Sequence, residues 1–183
     1  MLSEEQIIQG CLKNNKKEQK MLFDKYASTL LGVCMRYANS HDEAEDILQE
    51  GFVKIFMRIS QYAGTGSFEG WMKRVMVNTA LSHYRTNLKH LYHQNIDDVN
   101  ETQIDENIIS DSEFSEKEIM DIITALPDGF RIVFNLYAVE GYKHKEIADM
   151  LGIDVSTSKS QYSRAKKVIQ QKLYELKKEE HLY

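Results

Sequence analysis

The chain has 183 residues, 42% of them hydrophobic and 28% charged, which suits one medium or two small soluble domains. A single proline leaves helices almost unobstructed, and a net charge of −5 argues against a surface that grips nucleic acid over its whole extent. Two cysteines, Cys11 and Cys34, are too few for a metal cage or a disulfide framework, and no run approaches the ~20 apolar residues that span a bilayer.

The N-terminal MLSEEQIIQG has neither an apolar core nor a cleavage site, so no signal peptide and no direct membrane insertion are expected, and the protein is expected to be cytoplasmic. Ser3 with Gln6 fits a capping box opening a short helix. Phe23, Tyr26, Leu30, Cys34 and Tyr37 recur at three- and four-residue steps as one buried helix face. The cysteines therefore read as reduced structural thiols. Ser40 and Glu43 form a second capping box. The helix that follows, HDEAEDILQEGFVKIF, places Ala44, Ile47, Leu48, Phe52, Ile55 and Phe56 on an apolar stripe. Opposite it stand Asp42, Glu45, Asp46, Gln49 and Glu50, a solvated face or a protein-docking face. His41 lies beside acids, but no second histidine stands at ligand spacing, so no metal is expected.

Gly64, Gly66 and Gly70 then interrupt the pattern in a loop. A further helix is expected to begin near Phe68 or Trp71 and to run past Arg85. From Trp71 to Tyr92 it holds no acid and four bases, Lys73, Arg74, Arg85 and Lys89. Arg74, Asn78 and Arg85 share a face, bordered by Trp71 and Ser82. Bases beside aromatic residues and a loop suit single-stranded DNA, whose phosphates are neutralised while unstacked bases meet rings. For Phe68 and Trp71, burial in the core is an equal reading. Residues 93–116 carry eight acids and no Lys or Arg, and read as an extended tether.

From Lys117 the pattern is helical again. Ile119, Ile122, Ile123 and Leu126 lead to Pro127. Phe130, Val133, Phe134 and Tyr137 form the next stripe, which Gly141 ends. In YKHKEIADMLGIDVSTSKSQYSRAKKVIQQKL, Ile147, Ala148 and Leu151 form the inner face of a short helix, Gly152 permits a sharp turn, Ile153 plugs the corner, and Asp154 or Ser156 can cap the next helix. That is the pattern of a helix-turn-helix. The second helix, from Val155 to Lys178, has seven bases against one acid, and its first turns are rich in Ser, Thr and Gln. Bases reach phosphates, and small polar groups reach base edges in a major groove.

The motifs DEAEDILQEGFVKIF, SFEGWMKRVMVNTALSHYR, LPDGFRIVFNLYAVEGYKHKEIADMLGI and STSKSQYSRAKK, in this order, resemble the extracytoplasmic-function sigma factors, the compact class of bacterial promoter-recognition factors, and look most like Bacteroidetes members. The resemblance covers about Leu22–Thr86, the family's region 2, and Ile119–Leu173, its region 4. It implies an all-α chain of two small helical domains joined by a flexible acidic linker: 1–92 as region 2, 93–116 as linker and 117–183 as region 4. It further implies that Asp42, Glu45, Asp46, Gln49 and Glu50 dock on the β′ clamp helices of core RNA polymerase. Phe68, Trp71, Arg74, Asn78 and Arg85 would bind the minus-ten element of melted promoter DNA. Thr157, Lys159, Ser160, Gln161, Ser163, Arg164 and Lys167 would read the minus-thirty-five element, with the preceding helices near the polymerase β flap. A controlling anti-sigma factor, in this family often membrane-borne, is expected, and no cofactor. Ser158 departs from the family pattern, standing where an apolar inner-face residue is common. Gln161 and Tyr162 depart where a base and a leucine are frequent.

Two other classes compete on the residues alone. A one-component regulator would use only the helix-turn-helix and bind duplex DNA unaided, usually as a dimer. A helical interaction module would show no salt-dependent affinity for DNA. No nucleophile–base pair, metal spacing or phosphate loop suggests an enzyme.

Overall fold

The structure, a computed structural model, describes residues 2–91 and 114–180. Among these, all regular structure is helical, and the chain divides into two compact units, Met1–His90 and Leu91–Tyr183. The expected acidic tether lies, up to residue 113, outside the described residues. Among the described residues no helix is long and apolar enough to cross a membrane.

The first unit contains α1 (Glu4–Leu12), α2 (Lys16–Met35), α3 (His41–Arg58), a single 3₁₀ turn (Ile59–Gln61) and α4 (Phe68–Leu91). Ser3 Oγ accepts from Gln6 N–H at 3.2 Å and Gln6 Oε1 accepts from Ser3 N–H at 2.9 Å, closing the capping box of α1. Ser40 caps α3, but the expected reciprocal bond is displaced: the Glu43 carboxylate accepts from Asn39 N–H at 2.7 Å. The buried stripe of α2 is Leu22, Tyr26, Leu30, Val33 and Cys34. Phe23, expected inside, is 38% exposed. Its ring lies 4.6 Å from that of Phe52.

Gly51 is an interior helical glycine, normally a cost of about 0.5–1 kcal/mol relative to alanine. Its position explains it. A Cβ there would lie 2.1 Å from Sδ of Met76, which is itself wholly buried. The missing side chain lets α4 close on α3. That contact anchors the middle of α4, whose other face carries Arg74 and Asn78.

The second unit contains α5 (Glu116–Thr124), α6 (Asp128–Phe134), a widened π turn (Asn135–Val139), α7 (His144–Leu151) and α8 (Val155–Glu180). Ser115 and Glu118 close a capping box on α5. Arg131 is buried, its guanidinium bonded to Asp128 at 2.9 Å and to the Thr124 carbonyl at 3.0 Å, which pins α6 to the end of α5. Leu126, Phe130 and the small Ala165 form a buried cluster covered by Phe134, Val168 and Ile169.

The corner between α7 and α8 has the expected chemistry. Gly152 is left-handed, φ 69°, and its N–H donates to the Ala148 carbonyl at 2.8 Å. In that region an L-residue costs about 1–2 kcal/mol. Asp154 takes the cap position of α8, its carbonyl accepting from Ser158 N–H at 3.0 Å.

Candidate nucleic-acid interface

Two polar faces stand on two helices. On α4, Arg74, Asn78 and Arg85 are exposed, whereas Met72, Met76, Val77, Ala80 and Leu81 are buried. Lys73 is paired with Glu69 at 2.7 Å, one turn back. Ser67 caps the helix, its hydroxyl accepting from Gly70 N–H at 3.0 Å, so Gly70 belongs to the first turn of α4 rather than to the loop.

The loop ahead of α4 is closed by a bond across it, from the Tyr62 hydroxyl to the Gly66 carbonyl at 2.8 Å, with Gly64 and Gly66 at positive φ. Phe68, for which base contact and core burial were equal readings, is 1% exposed and serves as the floor of this region. Three rings surround it: Tyr62 at 5.0 Å, Trp71 stacked at 5.6 Å, and Tyr26 at 6.4 Å. Trp71 remains half-buried above it.

On α8 the exposed residues Lys159, Ser160, Ser163, Arg164 and Lys167 lie away from the buried Ser158, Ala165 and Leu173. Thr157 is half-buried, and its carbonyl accepts from the Ser160 hydroxyl at 3.0 Å. Gln161 is half-buried too. Its amide lies over the start of α6, since a Cβ added at Gly129 would be 3.2 Å from Gln161 Nε2. Gln161 therefore reaches outward only by leaving Gly129.

The acidic face of α3 is exposed at Asp42, Glu45, Asp46, Gln49 and Glu50. Glu50 is engaged within the protein, bonded to Lys54 at 2.6 Å and to His83 of α4. Lys54 first, and then His83, hold its carboxyl below the usual range. His41, Asp42 and Glu45 offer ligand atoms within 4.8 Å of one another, all exposed on the first turn of α3, where His41 Nδ1 is 3.6 Å from Glu45. Val53 and Met57, 57% and 77% exposed, continue the same face in apolar form.

Residues 22–89 match the family model for Sigma-70 region 2, and residues 116–169 match that for Sigma-70, region 4. The ECF RNA polymerase sigma-E factor of Haemophilus influenzae is 25% identical over 186 residues, 96% of this chain and 97% of its own. The RNA polymerase sigma-H factor of Pseudomonas aeruginosa is 25% identical over 187 residues, 96% of each chain. The chain belongs to the extracytoplasmic-function sigma factors of the sigma-70 family. The fold agrees with that of the sigma factor RpoE in its co-crystal structure with the anti-sigma factor NepR from Bartonella quintana: TM-score 0.51, 18% identity, covering 86% of this chain and 98% of the other.

As a sigma factor it binds core RNA polymerase and directs promoter recognition and transcription initiation. Sequence reasoning missed three features of this sigma factor. The Val53 and Met57 extension of the α3 face was readable from helical spacing alone. The Tyr62–Gly66 bond and the pairing of Ser158 with His144, at 2.9 Å, had no sequence signal.

Proposed function

We propose that the polar faces divide the work of initiation. Asp42, Glu45, Asp46, Gln49 and Glu50, with Val53 and Met57, dock on the clamp helices of the polymerase β′ subunit. Trp71, Arg74, Asn78 and Arg85 hold the melted minus-ten strand, the arginines on phosphates and the Asn78 amide on a base edge, where it can donate and accept. Phe68 supports Trp71 from below. Thr157, Lys159, Ser160, Ser163, Arg164 and Lys167 enter the duplex at the minus-thirty-five element, with Gln161 joining when it leaves Gly129. Residues 1–92, 93–116 and 117–183 then serve as melting module, connector and duplex-reading module, and the helices before the corner lie toward the β flap. The chain acts without catalysis of its own, in the cytoplasm, under an anti-sigma factor, a partner class seen in the co-crystal structure it resembles.

The observation that carries this reading is the exposed Arg74–Asn78 pair on a helix whose opposite face is fully buried. It is an unaccompanied basic and amide surface that a regulator using only its helix-turn-helix would leave without a role. The test is association with purified core polymerase. The wild-type chain should bind tightly, and Asp46→Ala with Gln49→Ala should weaken binding by about tenfold or more, as for losing contacts at the centre of an interface. Equal binding by the double variant would remove the docking face.

A further inference from the structure

The inner face of α8 is apolar except where it begins. Tyr162, Ala165, Ile169 and Leu173 follow at helical steps, but the first position of the stripe is Ser158, which has no exposed surface. A hydroxyl buried without a partner costs roughly 1–3 kcal/mol. Ser158 has one: Oγ lies 2.9 Å from Nδ1 of His144, the first residue of α7. The imidazole stacks on Tyr137, with centroids 4.3 Å and planes 13° apart, and meets Tyr162 edge-on at 5.8 Å. Tyr162 in turn lies 4.5 Å from Tyr137 and 6.0 Å from Phe134. Rings from α6, the π turn and α8 thus hold His144 in one orientation.

Apolar contacts tolerate small rotations of a helix about its axis, whereas a hydrogen bond has a direction. A roll of about 20° moves a serine Oγ, roughly 4 Å from the helix axis, by about 1.4 Å, enough to break a hydrogen bond made there. Ser158 sits between Thr157 and Lys159, two residues before Ser160 and six before Arg164 on the same helix, so any roll at this point is passed to the outer face.

We propose that the His144–Ser158 pair is a positioning device: it sets the roll of α8 and thereby determines the sequence preference of the duplex-reading face without touching DNA. This rests on the reading of α8 as the duplex-facing helix. The test uses the full chain with core polymerase, selecting from a library of promoter duplexes randomised over the upstream element. The readout is the enrichment of the preferred sequence over its single-mismatch neighbours, beside the melting temperature of each variant. Ser158→Ala and His144→Phe should each reduce that ratio about threefold to tenfold, the weight of one hydrogen bond. His144→Asn, which keeps a hydrogen-bonding group near the position of Nδ1, should hold it within about twofold.

A ratio unchanged in Ser158→Ala and His144→Phe overturns the proposal. So does a uniform loss across the library that follows a lowered melting temperature, which is the mark of a purely structural pair. Arg164→Ala separates the two levels. If it weakens binding while the ratio of the inner-face variants is intact, only the positioning role falls. If it changes nothing, the duplex-facing reading falls with it.

Discussion

Glu50 on α3 is held by His83 on α4, so a carboxylate of the acidic face is tied to the helix that carries Arg74 and Asn78. With its folded pKa below the ordinary value of 4.5, Glu50 contributes stability above that pH, and the contribution is lost as pH falls through the folded value. The side chain is 43% exposed, so solvent screening keeps the contribution below about 1 kcal/mol. Denaturant unfolding across acid pH should show the wild-type losing slightly more stability than Glu50→Gln as the medium is acidified from 4.5. Parallel curves would mean that the pair adds nothing.

Gly51→Ala places a methyl group against buried Met76 Sδ. Overpacking of this kind costs about 1–3 kcal/mol, partly offset by the better helix propensity of alanine, about 1 kcal/mol. A net loss of stability is expected in thermal unfolding, and Met76→Ala in the same chain should relieve part of the clash. Gly51→Ala as stable as wild-type would show that Met76 repacks without strain.

These two contacts mark how far the sequence was legible. Local chemistry could be read: the Ser3–Gln6 box, the left-handed Gly152, the cap position at Asp154, and the apolar stripe of α3 all depend on neighbours within about one helical turn. The phase of the α2 face is legible at Tyr26, Leu30, Cys34 and Tyr37, whereas Phe23 on the same face is 38% exposed. What could not be read was tertiary partnership. Phe68 looks the same in sequence whether it faces a base or lies under Trp71. Ser158 looks like a packing defect until His144, fourteen residues earlier, is seen beside it.

His144 gives a pH signature. Burial of the ring first, and then Lys159, lower its pKa from 6.5. As pH falls below 6.5, the unfolded chain takes up a proton that the folded chain resists, so stability declines from there down to the folded pKa and is flat above. Denaturant unfolding of the chain, followed by circular dichroism, should show this slope, and His144→Phe should remove it. A slope that survives the substitution would assign it to another group.

Burial also pushes the Cys34 thiol up to about 12 and raises that of Cys11. Since the thiolate is the reactive form, neither should be alkylated in the native protein at mildly alkaline pH, and both should react once denaturant is added. Rapid native labelling of Cys34 would contradict its place in the core.

Tyr62→Phe keeps the ring and removes only the loop-closing hydroxyl. Opening of promoter DNA, followed with a fluorescent base in the minus-ten region, should slow by about threefold to tenfold, the weight of one hydrogen bond, while binding to core polymerase is unchanged. Equal opening rates would separate the loop from minus-ten recognition.

The division of labour between the two helices is tested most directly by run-off transcription with native core polymerase on two templates, a closed duplex promoter and the same promoter with its minus-ten region already melted. Asn78→Ala should lose transcription on both templates, because the single strand must still be held. Arg164→Ala should lose it mainly through weaker binding to the upstream duplex, with a base contact worth about 1–3 kcal/mol. Unaltered specific initiation in both variants, or no stimulation of core polymerase by the wild-type chain, would contradict the assignment of these faces.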